Sequence, residues 1–398
     1  MNNAVTVIEP GTTKLSVLTC RKAQNGSLKL IGLGQVRYSG VQRDGWKSEK
    51  MLYHTLNAAI GQAQKMAGYK INRCMLGVPN EFCGLVRNTG KITPNHPISR
   101  QDLQELRKLA AEYPLPASWE ISNVIYGDYL ADGRPVDNPI GLSCRTLELQ
   151  ASIICIHTDF AKQLTKVLHS LNLQVEKWIP VPLACGQALL TEEDKENGVL
   201  LIDTGGECTD IVIYKDGVPV FYEWLPLGGN VITRDIAAGI GISLDDAEKL
   251  KRSCVLGIDL NNDESAESEM QMPVRNGQHV HNVSMELLQQ IAEARIEEIL
   301  ELVLKRIQEE GLQAEYSKVI LTGGGLALFR GIKSFAAGIL NQPVQLGVPD
   351  VIGLSSPIFS AVYSVGYVGL NKSAGRKGIG QFLNYMIKKL GISSNFIL

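Results

Sequence analysis

The stretch Leu200-Leu-Ile-Asp203-Thr-Gly205-Gly206-Glu-Cys-Thr209-Asp210-Ile-Val-Ile-Tyr214 decides the fold. An apolar strand runs into Asp203, a tight glycine turn follows, and a second apolar strand leaves from Asp210. Gly205 and Gly206 carry no Cβ and tolerate positive φ, so backbone N–H groups there can approach an anion closely. Asp203 stands at the mouth of the turn, where a carboxylate can hold a hydrated Mg²⁺ beside phosphates. Taken alone, the pattern also fits an ordinary hairpin whose turn contains two glycines.

The same device occurs near the start, at Val5-Thr-Val-Ile8-Glu9-Pro10-Gly11-Thr12-Thr13-Lys14. Ile8 aligns with Ile202, Glu9 with Asp203 and Gly11 with Gly205. Each copy continues into a second strand, a turn (Asn25-Gly26; Lys215-Asp216-Gly217) and a third strand. A meander repeated about two hundred residues apart predicts two related halves that face each other. A third glycine strand-end follows at Val319-Ile-Leu-Thr322-Gly323-Gly324-Gly325, running into Leu326-Ala-Leu-Phe329-Arg330-Gly331-Ile332. Two hairpins gripping phosphates from opposite sides, with a glycine ledge for sugar and base, predict a nucleotide cleft between two domains.

On these turns the sequence resembles the actin-like ATPase superfamily and, within it, the FtsA family of bacterial cell-division proteins. The resemblance extends through Val181-Pro-Leu-Ala-Cys-Gly186, Leu227-Gly228-Gly229-Asn230-Val-Ile-Thr233-Arg-Asp235-Ile236 and Asp246-Ala-Glu248-Lys-Leu-Lys251. It resumes at Pro343-Val-Gln-Leu-Gly347-Val-Pro349 and at Ser356-Pro357-Ile-Phe-Ser-Ala361-Val, and so covers nearly the whole chain. The fold it implies is α/β. Two actin-like domains, duplicated ribonuclease-H-like halves, carry an FtsA-type inserted α/β subdomain and a C-terminal amphipathic helix. Residues 1–80, 159–196 and 355–370 form subdomain 1A, and 81–158 the inserted subdomain 1C. Residues 197–228 and 312–354 form 2A, and 229–311 form 2B. A linker at 371–376 leads to the membrane-targeting helix and tail, 377–398.

The resemblance also implies ATP and Mg²⁺ as cofactors. Nucleotide contacts are expected from Gly11, Thr12, Thr13, Lys14, Asp203, Gly205, Gly206, Thr209, Gly228, Gly229 and Asn230. Glu248, Lys251, Gly323, Gly324 and Gly325 complete the set. Asp203 and Glu9 are expected to hold the metal through water. Glu248 and Lys251, three apart, share one helix face. Spacing alone reads them as an intrahelical ion pair, whereas the family places that face on the adenosine.

Composition agrees with a soluble globular protein: 398 residues, 44% hydrophobic and 20% charged. A formal net charge of −2 gives no reason to expect nucleic acid. The eight cysteines lack C-x-x-C pairs and zinc-like histidine spacing, so they read as reduced core thiols of a cytosolic protein. Met1-Asn-Asn-Ala lacks the basic lead of a signal peptide, and no apolar run approaches a spanning helix.

Local signals place further elements. Leu52, Leu56, Ala59, Ile60, Ala63 and Met66 recur at helical spacing, and Cys74–Val78 reads as a strand. The inserted module shows strands at Gly84–Arg87, Ile121–Tyr126 and within Arg145–Ile156. A helix starts from Ser99, with Asp102 closing a capping box. Ser243 and Asp246 suggest the same device in the second half. Residues 259–269 read as an acidic solvated loop, and Ser284–Glu310 as one long helix ended by Gly311.

Two departures from the family pattern bear on catalysis. Glu9 replaces the usual aspartate, and Pro10 beside it lacks an N–H. Val181 stands where relatives carry an acid that orients the attacking water, and a valine can accept no hydrogen bond. Gln187, further along the same helix, is a substitute or simply a surface residue. Glu9, Asp203 and Gln187 are thus the weak catalytic candidates, and ATP binding with slow or undetectable hydrolysis is expected.

Residues 351–398 contain no acid. Ile379, Phe382, Leu383, Met386, Ile387 and Leu390 follow helical spacing, flanked by Lys377, Lys388 and Lys389, as in a helix lying on an anionic membrane. A terminal helix docked on the core is the plain alternative. The family implies an adaptor peripheral to the cytoplasmic side of the cell membrane, at the division septum. There it self-associates into filaments and meets other division proteins, while 2B, with Arg295 as a candidate, binds the FtsZ C-terminal peptide. A pilus-assembly adaptor of the PilM type and a small-molecule kinase are the competing readings.

Overall fold

The computed structural model describes residues 4–24, 26–42, 45–257, 269–273 and 280–371. The expected acidic loop (all but its last residue), the rest of the linker and the amphipathic helix, with Lys377, Ile379, Phe382, Leu383, Met386, Ile387, Lys388, Lys389 and Leu390, lie outside the described residues.

The chain opens with strands β1 (Ala4–Pro10), β2 (Lys14–Lys22) and β3 (Leu28–Arg37), and a short ribbon of β4 (Val41–Gln42) and β5 (Gly45–Trp46). Helix α1 (Glu49–Ala67) follows, capped by Ser48 and ended by Gly68 in the left-handed region, and then β6 (Arg73–Val78). The inserted module comprises β7 (Cys83–Ile92), α2 (Arg100–Ala111), β8 (Trp119–Ala131), β9 (Arg134–Val136) and β10 (Leu147–His157). The first half closes with α3 (Thr158–Ser170), β11 (Gln174–Pro180), α4 (Val181–Leu189) and α5 (Glu192–Asn197).

The second half repeats the plan with β12 (Val199–Thr204), β13 (Thr209–Lys215) and β14 (Val218–Leu225). Helices α6 (Gly229–Ile240) and α7 (Leu244–Ser253), the ribbon β15 (Glu269–Pro273) and β16 (Val280–Ser284), and the long α8 (Met285–Glu309) come next. The chain then runs through β17 (Val319–Thr322), α9 (Ile332–Leu340), β18 (Val344–Leu346) and α10 (Ser360–Leu370).

Duplication is written in the topology. The two five-stranded sheets run β3-β2-β1-β6-β11 and β14-β13-β12-β17-β18. Each has two antiparallel pairings among its first three strands and two parallel pairings beyond. Ile8 pairs with Leu76 as Ile202 pairs with Leu321, so the equivalence read from the sequence holds in the register.

Helices α4 and α10 lie between the sheets in a shared core joining Val7 and Leu18 to Leu201, Val212 and Ile320. Both packings are close. A Cβ on Gly77 would meet Val181 and Val365 at 3.0 and 3.3 Å, and one on Gly186 would strike the Tyr214 ring at 2.4 Å. Separate cores back the first sheet against α1 and α3, and the second against α6 to α9.

The inserted sheet, β7-β10-β8-β9, packs on α2, whose Ser99–Asp102 capping box forms in both directions. β7 and β8 run several residues beyond the predicted Gly84–Arg87 and Ile121–Tyr126. Their partner β10 extends the ladder over polar residues such as Lys91, which pairs with Glu148, so cross-strand pairing overrides local polarity. Ser243 caps α7 by accepting from the Asp246 N–H, and its hydroxyl donates to the Asp246 carboxylate. No helix among the described residues is long and apolar enough to cross a membrane.

Candidate nucleotide site

The two strand-turn-strand units close in the same way. Gly11 N–H donates to the Lys14 carbonyl (2.9 Å) and Gly205 N–H to that of Cys208 (2.8 Å). The turns also touch each other: Glu207 N–H donates to Thr12 Oγ1 at 3.3 Å. The other glycine segments converge on the second turn. Gly229 N–H donates to Gly205 O (2.9 Å), Asn230 N–H to Gly206 O (2.8 Å) and Gly325 N–H to Thr204 O (2.7 Å).

Glycine is required here for close approach more than for positive φ, which, of Gly11, Gly205, Gly206, Gly228, Gly229, Gly323, Gly324 and Gly325, only Gly323 adopts, at +85°. A Cβ on Gly206 would lie 2.0 Å from Thr13 Cγ2, on Gly228 2.6 Å from the Gly206 backbone, and on Gly229 2.6 Å from Gly325 Cα. Gly205 differs: its Cβ would meet only the Cys208 carbonyl, at 3.5 Å. The positive φ anticipated at Gly205 and Gly206 is therefore not used.

Three charged groups sit behind the turns. Glu9 and Asp203, at equivalent positions, are 6% and 8% exposed. Burial pushes the Glu9 carboxyl up to about 7 although Lys14 opposes it, and burial likewise lifts Asp203 to about 6. Lys14 is itself pushed below the usual lysine range by burial, and its ammonium spans to the Ile358 carbonyl at the entry to α10. The donor set suits a hydrated cation. Among the described residues no group of three His, Cys, Asp or Glu forms a protein cage, so any Mg²⁺ would rely on water and phosphate oxygens beside Glu9 and Asp203.

Helix α4 turns Cys185 toward this cluster, its Sγ 3.6 Å from Asp203 Oδ2. Two residues further on, Gln187 lies about 200° round the helix, away from Asp203. Val181 is buried against Gly77. The site thus gains a thiol that the sequence reading did not select, and Gln187 is not brought to it. Asp210 was missed as well. It is the register partner of Asp203, buried and held far above the usual range by burial and then by Asp203. Tyr222 O–H lies 3.4 Å from Asp210 Oδ1 and donates to the Asn80 carbonyl at 3.0 Å, bringing the inserted-module side into the same network. The hairpin count could have found it: 204 pairs with 209, so 203 must pair with 210.

Glu207 was also overlooked. Its carboxylate accepts from Asn230 Nδ2 at 2.7 Å and forms an ion pair with Arg234, tying the second turn to α6. The Thr209 hydroxyl donates to the Leu227 carbonyl at 2.7 Å, and Gly324 packs near Ile358.

Glu248 and Lys251 form an ion pair of 2.6 Å. Lys251 also donates to Gly229 O (3.0 Å) and Thr233 Oγ1 (2.8 Å), which fastens α7 under the glycine entry to α6. Arg295 of α8 pairs with Asp235 of α6 at 2.5 Å and with Glu298. It clasps two helices, remote from the turns in sequence.

Converging glycine turns between two repeated sheets define a protein of actin-like fold. Its structural likeness extends to the PilM–PilN type IV pilus biogenesis complex, with a TM-score of 0.65, 15% identity and coverage of 92% of this chain and 98% of that one. It extends also to MreB5 of Spiroplasma citri bound to ADP, with a TM-score of 0.54, 14% identity and coverage of 93% and 99%.

The family model for cell division protein FtsA matches residues 200–364. FtsA of Escherichia coli K12 is 27% identical over 375 residues, covering 91% of this chain and 88% of that protein. FtsA of Bacillus subtilis 168 is 27% identical over 361 residues, covering 89% and 81%. Over about nine-tenths of its length the chain is thus similar to FtsA cell-division proteins.

Proposed function

We propose that the chain is an ATP-binding, actin-like division adaptor. It assembles on the inner face of the cytoplasmic membrane at the septum and tethers FtsZ there through the FtsZ C-terminal peptide. The observation that carries the nucleotide part is the meeting of the glycine turns at Thr12–Glu207, Gly205–Gly229 and Thr204–Gly325 around Glu9, Lys14 and Asp203. The relatives support the division role.

When bound, Mg²⁺ would supply positive charge to the phosphates. Glu9 and Asp203 would orient its water shell and give up protons as it binds, and Lys14 would face the phosphates from the first turn. Gly228, Gly229 and Gly323–Gly325 would leave room for sugar and base, with Glu248 and Lys251 beneath. Val181 cannot orient an attacking water, and the Cys185 thiol is pushed well above the usual range by burial, so it is a poor base. Hydrolysis is therefore slow or absent. The pilus-adaptor likeness speaks for the fold alone.

The test is isothermal titration with ATP and Mg²⁺, then sedimentation of the ATP-loaded protein with liposomes and FtsZ. Co-sedimentation of FtsZ only with the intact chain is expected, and Phe382→Glu with Leu383→Glu should abolish it. Absence of ATP binding by folded protein would sink the nucleotide reading. Steady phosphate release at rates typical of dedicated kinases would overturn the slow-hydrolysis part.

A further inference from the structure

At one end of the first sheet, the β2–β3 hairpin meets the point where the chain leaves α10. Residues 10–43, which include the whole hairpin, contain no Asp or Glu, and neither do residues 351–398. Arg21 and Lys29 are direct partners in the β2–β3 register, and both are exposed. Like charges placed opposite each other on an antiparallel pair repel. Among the described residues, no carboxylate lies within ion-pair distance of Arg21, Lys22 or Lys29. Lys22 Nζ donates to Asn371 Oδ1 at 3.1 Å, so the basic hairpin is tied to the last described residue before the tail.

Apolar side chains stand beside these bases. The end of α1 crosses the hairpin at Gly32, where a Cβ would meet Ala67 Cβ at 3.0 Å, and there Met66 is 55% exposed. On the α10 side, Gly353 packs on Leu30 and its neighbour Ile352 is 95% exposed. Uncompensated bases with exposed apolar neighbours match the chemistry of an anionic bilayer surface.

We propose that this end of the first sheet is a second membrane contact. Arg21, Lys22 and Lys29 lie against anionic lipid headgroups and hold the body of the protein against the bilayer beside its C-terminal segment. The proposal rests on the membrane reading of residues 377–398 only for delivery: a tail anchored a few residues beyond Asn371 keeps the hairpin near the bilayer, where such charges act over ~8 Å at physiological ionic strength.

The test is co-sedimentation of the full chain with phosphatidylglycerol–phosphatidylethanolamine vesicles and with phosphatidylcholine vesicles. Neutralising one base should weaken binding to the anionic vesicles about fivefold, and Arg21→Gln, Lys22→Gln and Lys29→Gln together about a hundredfold. The thermal midpoint should hold or rise, because the Arg21–Lys29 repulsion is relieved. Wild-type-like binding by the folded triple variant overturns the proposal. If Phe382→Glu with Leu383→Glu abolishes binding while the triple variant retains it, the tail reading stands and this one falls. If the tail variant binds normally and the triple variant does not, the tail reading falls and this one stands. No anionic-lipid binding by the wild type overturns both.

Discussion

Asp203 and Asp210 face each other directly across the β12–β13 ladder, both buried, one pair back from the Thr204–Thr209 pair that heads the second turn. Two carboxylates on one face in a low-dielectric site cannot both ionise cheaply, and Glu9 stands close enough to feel the charge of Asp203. The pocket behind the turns therefore stores protons to a higher pH than free carboxylates do.

That storage makes stability depend on pH. Glu9 rises from 4.5 to about 7 in the folded protein, so between those values the native state holds a proton that the unfolded chain has lost. Stability falls as pH rises through that window, by on the order of 3 kcal/mol for this group. Glu9→Gln should remove that part of the slope in thermal unfolding measured from pH 4.5 to 8. Affinity for ATP with Mg²⁺ should rise over pH 5.5 to 7.5 in the wild type, as Asp203 and Glu9 ionise. A titration showing weaker binding at higher pH would contradict the assignment of these carboxylates to the metal.

The glycines should separate into two kinds. Gly325→Ala places a Cβ 2.4 Å from the Gly205 carbonyl and should cost about 1–3 kcal/mol in unfolding free energy, with loss of ATP binding. Gly205→Ala meets only the Cys208 carbonyl, at 3.5 Å, and should leave the thermal midpoint nearly unchanged. Equal destabilisation by both would refute the close-packed account of the turns.

Removing either partner of the Glu248–Lys251 pair should have unequal effects. Lys251 is buried and Glu248 is about a quarter exposed. Glu248→Gln strands a buried ammonium and should cost about 3 kcal/mol. Lys251→Met leaves Glu248 with Arg252 and solvent, and should cost less. Denaturant unfolding of the two variants decides the order.

Arg295→Glu should lower the thermal midpoint by several degrees, because it sets a carboxylate against Asp235 and breaks the α6–α8 clasp. Arg295→Gln combined with Asp235→Asn removes both charges together and should recover most of that loss. The double variant is thus the proper probe of FtsZ-peptide binding. If it holds the peptide normally in a pull-down, Arg295 serves the clasp and not the partner.

Local chemistry alone determines much of this protein. The glycine-punctuated strand pairs at Glu9–Lys14 and Asp203–Thr209, the Ser99–Asp102 capping box and the apolar stripe of α8 all depend on residues a few positions apart. Their period and turn chemistry are therefore written in the sequence. The site was legible as a set of turns but not as a set of contacts. That Cys185 and not Gln187 turns to Asp203 and that Lys14 spans to Ile358 follow from the two sheets closing on α4 and α10, and that Glu207 takes Asn230 and Arg234 follows from α6 packing against the second turn. Those pairs lie from 18 to 344 residues apart. Spacing along a chain gives the period of an element, but which face meets a distant partner is decided only when the cores pack.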